Sequence, residues 1–100
     1  MIKVAILFGG ISTEHDVSCK SADNVIRALA GRFELTLIGI TKEGEWLHYT
    51  GDPADVTGRW HTHDVEKIAL IPGMGEKASG FFVIHDGGIK PLPVDVALPV

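Results

Sequence analysis

The first half of the chain alternates between apolar stretches and polar breaks at the spacing of strands and helices. Residues 4 to 8 (VAILF) are all apolar, which is typical of a strand buried on both faces of a parallel sheet. Apolar side chains then recur at 22, 25, 26 and 29, the stripe of a helix predicted over residues 16 to 30. Residues 33 to 40 alternate and then become apolar, which predicts a second strand parallel to the first through a β-α-β connection.

The second half predicts hairpins and loops. Residues 42 to 45 (KEGE) indicate a tight turn into a short strand at 46 to 49, and residues 51 to 64 are polar, indicating irregular chain with at most a short helical turn. Further strands are predicted over residues 67–71, 81–85, 89–92 and 94–100, with a flexible loop at 73–80 and a turn at 86–88. The last strand is predicted to be buried. We therefore expect a three-layer α/β domain with a mainly parallel sheet that contains strands 3–8, 33–40 and 94–100.

Gly9 and Gly10 end the first strand directly before the polar loop that leads into the helix. Two residues without a Cβ let the chain turn sharply and let the backbone approach a ligand. In open α/β sheets the ligand site lies beyond the carboxyl ends of the strands. We therefore expect the chemistry of this chain at the junction that carries Glu14, His15 and Asp16.

The start of the helix offers two candidate caps. Thr13 and Asp16 have the capping-box spacing, while Ser12 can cap the helix equally well. Gly31 follows the last turn and favours an end of the helix there. Glu14 lies beside this N-terminus, where the helix dipole stabilises a carboxylate whether or not it meets a ligand. The residues alone therefore favour a structural role for Glu14.

Composition and charge restrict the class of protein. With 100 residues and 45% hydrophobic content, the chain fits one ordinary globular domain. No apolar run reaches the ~18 residues that span a bilayer, and no secretory signal is visible, so we expect a cytoplasmic protein without a membrane partner. The net charge of −4 and the lack of a Lys/Arg cluster argue against nucleic acid as a partner.

The string LFGGISTEHDVSCKSA, residues 7 to 22, closely resembles the opening of the D-alanine:D-alanine ligase family, ATP-grasp enzymes of peptidoglycan precursor synthesis. The shared pattern is filled by Gly9, Gly10, Ser12, Glu14, Val17 and Ser18. LIGITKEGEW at 37 to 46 and VDVAL at 94 to 98 also resemble the family, the latter as the strand that leads into its histidine-glycine loop. The family includes vancomycin-resistance ligases, so D-alanine, D-lactate and D-serine all stay open as the second substrate.

The resemblance implies a Rossmann-like (pre-ATP-grasp) fold and a single N-terminal, substrate-binding domain over residues 1–100. It implies that Glu14 acts in catalysis by contacting the ammonium group of the first D-alanine, and that Val17 and Ser18 line the same subsite. ATP and Mg²⁺ are bound in the family by central and C-terminal domains, which are absent from these residues. The resemblance therefore implies that this chain alone is inactive, and that the complete ligase commonly forms a homodimer.

Other candidate sites give weaker signals. His15 and Asp16 are adjacent on a helix and point in different directions, so a solvent-facing or capping role is expected rather than a metal site. His61, His63 and Asp64 stand in a polar loop and are expected to be solvated. GGISTE lacks the spacing of a dinucleotide-binding loop. Cys19, the only cysteine, is expected to be partly buried and to have no role in the chemistry.

Two other classes of protein stay open from the sequence. One is a different ATP-grasp enzyme with the same kind of N-terminal domain, against which the Ser-x-Glu-x-x-Val-Ser string argues. The other is a non-enzymatic module that binds a small ligand, because an α/β fold alone does not fix a function.

Overall fold

A computed structural model describes residues 1–70, 80–85 and 87–100. Most of the predicted loop at 73–80 and the first residue of the predicted turn at 86–88 lie outside these residues. The described elements are β1 (Lys3–Gly9), α1 (His15–Leu29), β2 (Glu34–Ile40), β3 (Trp46–Tyr49), two 3-10 helices (Pro53–Thr57 and Trp60–Thr62), β4 (Val65–Leu70), β5 (Phe81–His85), β6 (Gly88–Pro91) and β7 (Val96–Pro99). Within the described residues, each predicted strand is present to within two residues.

The strands form one sheet in the order β6-β5-β4-β3-β2-β1-β7. β1 is parallel to both β2 and β7, so the three strands predicted to share a sheet do so. The other four pairings are antiparallel. The α/β class is confirmed, but the sheet is mixed rather than mainly parallel. Tight turns such as that at 42 to 45 join antiparallel strands, because a parallel pair needs a crossover of about a dozen residues or more.

The main core lies between the sheet and α1. It contains alternate residues of β1 and of β3, one stripe of the helix, one side chain of β2 and one from each 3-10 helix: Val4, Ile6, Phe8, Cys19, Ala22, Ile26, Leu37, Leu47, Tyr49, Val56 and Trp60. A smaller cluster around Ala5, Ile38 and Phe81 lies on the opposite face. In the described part of the chain the helices cover one face only, so two of the three expected layers are seen. The reason is that α1 is the crossover of a single β-α-β unit. No helix among these residues is both long and apolar enough to cross a membrane.

The helix α1 begins and ends within one residue of the predicted bounds. Its N-cap is Glu14, whose side chain makes no capping bond, so the expected capping box of Thr13 and Asp16 is wrong. The Ser12 hydroxyl instead accepts a hydrogen bond from the Glu14 N–H at 3.1 Å. Gly31 has φ +83° directly after the helix, a conformation that favours glycine and ends the helix as predicted.

The loop at 51 to 64 is more ordered than its composition predicts. Asp52 accepts a hydrogen bond from the Ala54 N–H at 2.9 Å and starts the first 3-10 helix. Trp60, in the second, is 1% exposed and packs edge-on against Phe8 with ring centroids 4.9 Å apart. A Cβ on Gly39 would collide with the Trp60 ring. The absent side chain at Gly39 therefore makes the space that Trp60 fills.

The strand β7 differs from the buried strand predicted over 94 to 100. It is an edge strand with β1 as its neighbour in the described sheet, and Val96 and Leu98 are 49% and 38% exposed. The helix α1 packs on β1 rather than over β7. An apolar run predicts a strand, but burial also requires a layer that covers it, and the described residues supply none for Val96 and Leu98.

Candidate functional site

The strand β1 lies between its two parallel neighbours, at the point where the order of the strands in the sheet changes side. From β1 the chain passes through α1 to β2 on one side, while β7 lies on the other side, parallel to β1. In α/β sheets such a switch point opens a crevice beyond the carboxyl ends of the strands, where ligands bind. Here Gly9 and Gly10 end β1, and Val100 follows β7.

The Gly-Gly turn requires glycine at both positions. Gly9 and Gly10 have φ of +88° and +112°, a region that side chains with a Cβ rarely adopt. A Cβ on Gly9 would also collide with the carbonyl oxygen of Ile40 and lie 3.0 Å from Cε1 of His15. The Gly10 N–H donates to the carbonyl of Ile40 at 2.8 Å. The turn is therefore fixed tightly against the end of β2.

Ser18 joins the two strand ends at the switch point. Its hydroxyl accepts a hydrogen bond from the Gly9 N–H at 3.0 Å and donates one to the carbonyl of Val100 at 2.6 Å. The single hydroxyl proton is thus engaged by the protein itself. A direct contact between Ser18 and a substrate, which the family resemblance implies, would have to use the remaining lone pair of its oxygen.

The helix brings the three predicted site residues together on one side of its first turn. Glu14, Val17 and Ser18 are related by steps of three and four residues, which places them side by side on a helix. Glu14 is exposed at the N-cap, and Val17 is 58% exposed. The backbone N–H of Ser18 donates to the carbonyl of Glu14 at 2.8 Å, which ties the two positions together.

His15 is buried, so the expected solvent-facing or capping role is wrong for it. It is 7% exposed, and Nδ1 lies 2.7 Å from the carbonyl oxygen of Gly10. Since a carbonyl only accepts, Nδ1 is the donor in this bond. The spacing of residues in the sequence indicates this burial, because His15 precedes Cys19, Ala22 and Ile26 on the buried stripe of α1.

The neighbouring Asp16 stays exposed, as expected. Its carboxylate lies 3.6 Å from Nζ of Lys42 in an exposed ion pair. Pairs of this kind contribute little to stability because water screens them. Asp16 and His15 therefore point to different surroundings and do not form a joint site.

The remaining candidates do not converge on a site. His61, His63 and Asp64 are exposed, as expected for a solvated loop. Cys19 is 5% exposed, and burial is the main cause that raises the pKa of its thiol, while a hydrogen bond from Trp60 acts in the opposite direction. Among residues 1–70, 80–85 and 87–100, no three His, Cys, Asp or Glu side chains lie close enough to hold a metal ion.

Two clefts on the described surface are not bordered by Glu14, Val17 or Ser18, although one of them adjoins His15. One of about 230 Å³ is bordered by Tyr49, and a small one of about 130 Å³ is bordered by His15 and Lys42. Glu14 is exposed to solvent.

Comparisons with known proteins agree on one family. Residues 3–100 match the family described as D-ala D-ala ligase N-terminus. The D-alanine–D-alanine ligase of Thermoanaerobacter sp. (strain X514) is 42% identical over 100 residues, which cover 98% of this chain and 27% of that protein. A putative D-alanine–D-lactate ligase of Streptomyces coelicolor is 37% identical over 100 residues, covering 99% of this chain and 27% of that protein.

A solved structure shows the same fold. The VanG D-Ala:D-Ser ligase from Enterococcus faecalis matches with a TM-score of 0.84 and 31% identity, over 98% of this chain and 28% of that one. The chain thus spans little more than a quarter of the length of the relatives it matches. Because the family match extends over nearly all of its residues, the chain belongs to the D-alanine–D-alanine ligase family, in the part that forms the N-terminus of these enzymes.

Proposed function

We propose that this chain is the N-terminal domain of an ATP-dependent ligase that joins D-alanine to D-alanine, D-lactate or D-serine, and that it helps to bind the first D-alanine. The observation that carries the proposal is the exposed Glu14 carboxylate beside the switch point of the sheet. Such a ligase acts in the cytoplasm in the synthesis of peptidoglycan precursors.

The geometry supports an ammonium contact at Glu14. An ionised carboxylate only accepts hydrogen bonds, so it can receive charge-assisted bonds from the ammonium group of an amino acid. The Glu14 side chain makes no capping bond to its own helix and is therefore available to a ligand. Val17, one turn further along, presents an exposed apolar surface that suits a methyl group.

The proposal assigns ATP and Mg²⁺ to parts of the ligase outside these residues. Phosphoryl transfer depends on metal ions and cationic groups around the phosphates. The described residues hold no cluster that fits a magnesium ion. We therefore expect this chain alone neither to hydrolyse ATP nor to join D-alanine. We further propose that the complete ligase forms a homodimer.

A chimeric ligase tests this function. Residues 3–100 of this chain would replace the matching segment of the Thermoanaerobacter ligase, and D-alanine-dependent release of phosphate from ATP would be measured. We expect activity that requires both segments, with none from either alone. A chimera that melts cooperatively yet shows no D-alanine-dependent release would contradict the proposal, as would release by this chain alone.

A further inference from the structure

The direct backbone hydrogen bonds between β1 and the segment of β7 extend to Leu7 and Val100. The Val100 N–H donates to the carbonyl of Leu7 at 2.9 Å, in register with the pairing of Leu7 and Pro99. In a parallel ladder the next bond would join the N–H of Gly9 directly to the carbonyl of Val100. In this structure the hydroxyl of Ser18 stands between these two groups and bonds to both.

We propose that Ser18 is a positioning residue that holds the carboxyl ends of β1 and β7 apart by one hydroxyl group and ties both to the first turn of α1. This inference rests on the proposed function, because the element that it positions carries Glu14. The strands pair up to Leu7 and Pro99, and the direct bond expected next between Gly9 and Val100 is replaced by the two bonds of the Ser18 hydroxyl.

Ser18 is linked to Glu14 by one turn of the helix backbone and by a backbone hydrogen bond. The Ser18 N–H donates to the carbonyl of Glu14 at 2.8 Å, while the side chain of the same serine holds Gly9 and Val100. Displacing the serine hydroxyl would therefore loosen the carboxylate from both strand ends. Ser18 acts through backbone groups and needs no contact with a substrate.

Amide hydrogen exchange in this chain tests the bridge. Ser18→Ala removes the acceptor of the Gly9 N–H, so exchange of the Gly9 amide should become about two- to tenfold faster than in the wild-type chain, while exchange of the Leu37 amide in the core stays the same. Ser18→Thr retains the hydroxyl and should restore the wild-type rate. Ser21→Ala, a serine on the same helix, is the matched control. Unchanged or slower exchange at Gly9 in Ser18→Ala would overturn the inference.

Kinetics of the chimeric ligase separate positioning from a merely structural role. Ser18→Ala should raise KM for the first D-alanine about two- to tenfold with a smaller change in kcat, and Ser18→Thr should bring KM back to within about twofold of the parent. A merely structural role lowers the amount of folded enzyme and leaves KM unchanged. If Glu14→Gln raises KM and Ser18→Ala does not, only the positioning role is wrong. If Glu14→Gln has no effect on KM, the proposed contact between Glu14 and the first D-alanine is wrong, whatever the exchange at Gly9 shows.

Discussion

The buried imidazole ring of His15, on α1, donates a hydrogen bond of 2.7 Å to the carbonyl oxygen of Gly10, in the turn after β1. The amide of the same glycine donates to the carbonyl of Ile40 at 2.8 Å, so both backbone groups of Gly10 have partners. The turn that ends β1 is thus held by α1 on one side and by the end of β2 on the other. Glu14 directly precedes His15 in sequence, so this bond also anchors the start of the helix.

Replacing His15 by phenylalanine should destabilise the chain. The ring volume is nearly kept, but the Gly10 carbonyl loses its donor in a mostly buried position, which costs about 1–3 kcal/mol of unfolding free energy. Urea denaturation at neutral pH measures the change. His85→Phe, at an exposed position, is the control and should change stability by less than about 0.5 kcal/mol. Equal stabilities of the two variants would show that the bond to Gly10 contributes nothing.

Replacing Glu14 by glutamine in the chimeric ligase should weaken catalysis more than folding. A charge-assisted hydrogen bond contributes about 1.5–3 kcal/mol, so kcat/KM for the first D-alanine should fall roughly ten- to a hundredfold. The helix-dipole contribution of an exposed carboxylate is only about 0.3–1 kcal/mol, so the melting temperature should change little. Glu34→Gln, an exposed glutamate at the start of β2, is the control. Wild-type kinetics combined with a lower melting temperature would identify Glu14 as a structural residue instead.

Replacing Gly39 by alanine should destabilise the core. The new Cβ would collide with the Trp60 ring and lie 2.9 Å from the ring of Phe8, and overpacking of this kind costs about 1–3 kcal/mol. Near-ultraviolet circular dichroism and thermal melting report on the displaced tryptophan. Gly87→Ala is the control, since a Cβ there meets no atom within 4 Å. If Gly39→Ala and Gly87→Ala have the same melting temperature, the packing of Trp60 on β2 is not as described.

Ionisation of Cys19 should make the folded state less stable at alkaline pH. Burial raises the pKa of the thiol from its ordinary value of 9.0, so the unfolded chain releases the proton at a lower pH than the folded chain does. The unfolding free energy should therefore fall as pH rises through 9.0. Urea denaturation across this pH range, with Cys19→Ala for comparison, measures the effect. The variant should lose less stability over the range, and identical pH dependence of the two proteins would contradict the prediction.

The sequence predicts the elements that depend on local periodicity. The apolar run of β1, the stripe of α1 and the Gly-Gly break were sufficient to locate the strand-to-helix junction, because each pattern is set by neighbouring residues. Trp60 was not predicted to be buried, since its environment depends on the space at Gly39, which is distant in sequence. His15 was misassigned because its polar side chain outweighed its position on the helical stripe.

The candidate site was located only in part. The family motif identified Glu14, Val17 and Ser18, and helical spacing explains why they lie side by side. The bonds of Ser18 to Gly9 and Val100 were not predicted, because the register of β7 against β1 brings together residues 82 positions apart. Such a register is set by tertiary packing and is not visible in a local pattern.

The exposed edge of β7 bears on how the chain behaves at high concentration. An open edge strand can template aggregation by pairing with a strand of another molecule. The backbone of alternate residues faces that edge, here Ala97 and Pro99, since Val100 and Leu98 face β1. Proline has no N–H, so within Val96–Pro99 the outward donor is left to Ala97. An edge with one outward donor over these four residues is a poor template for an intermolecular sheet.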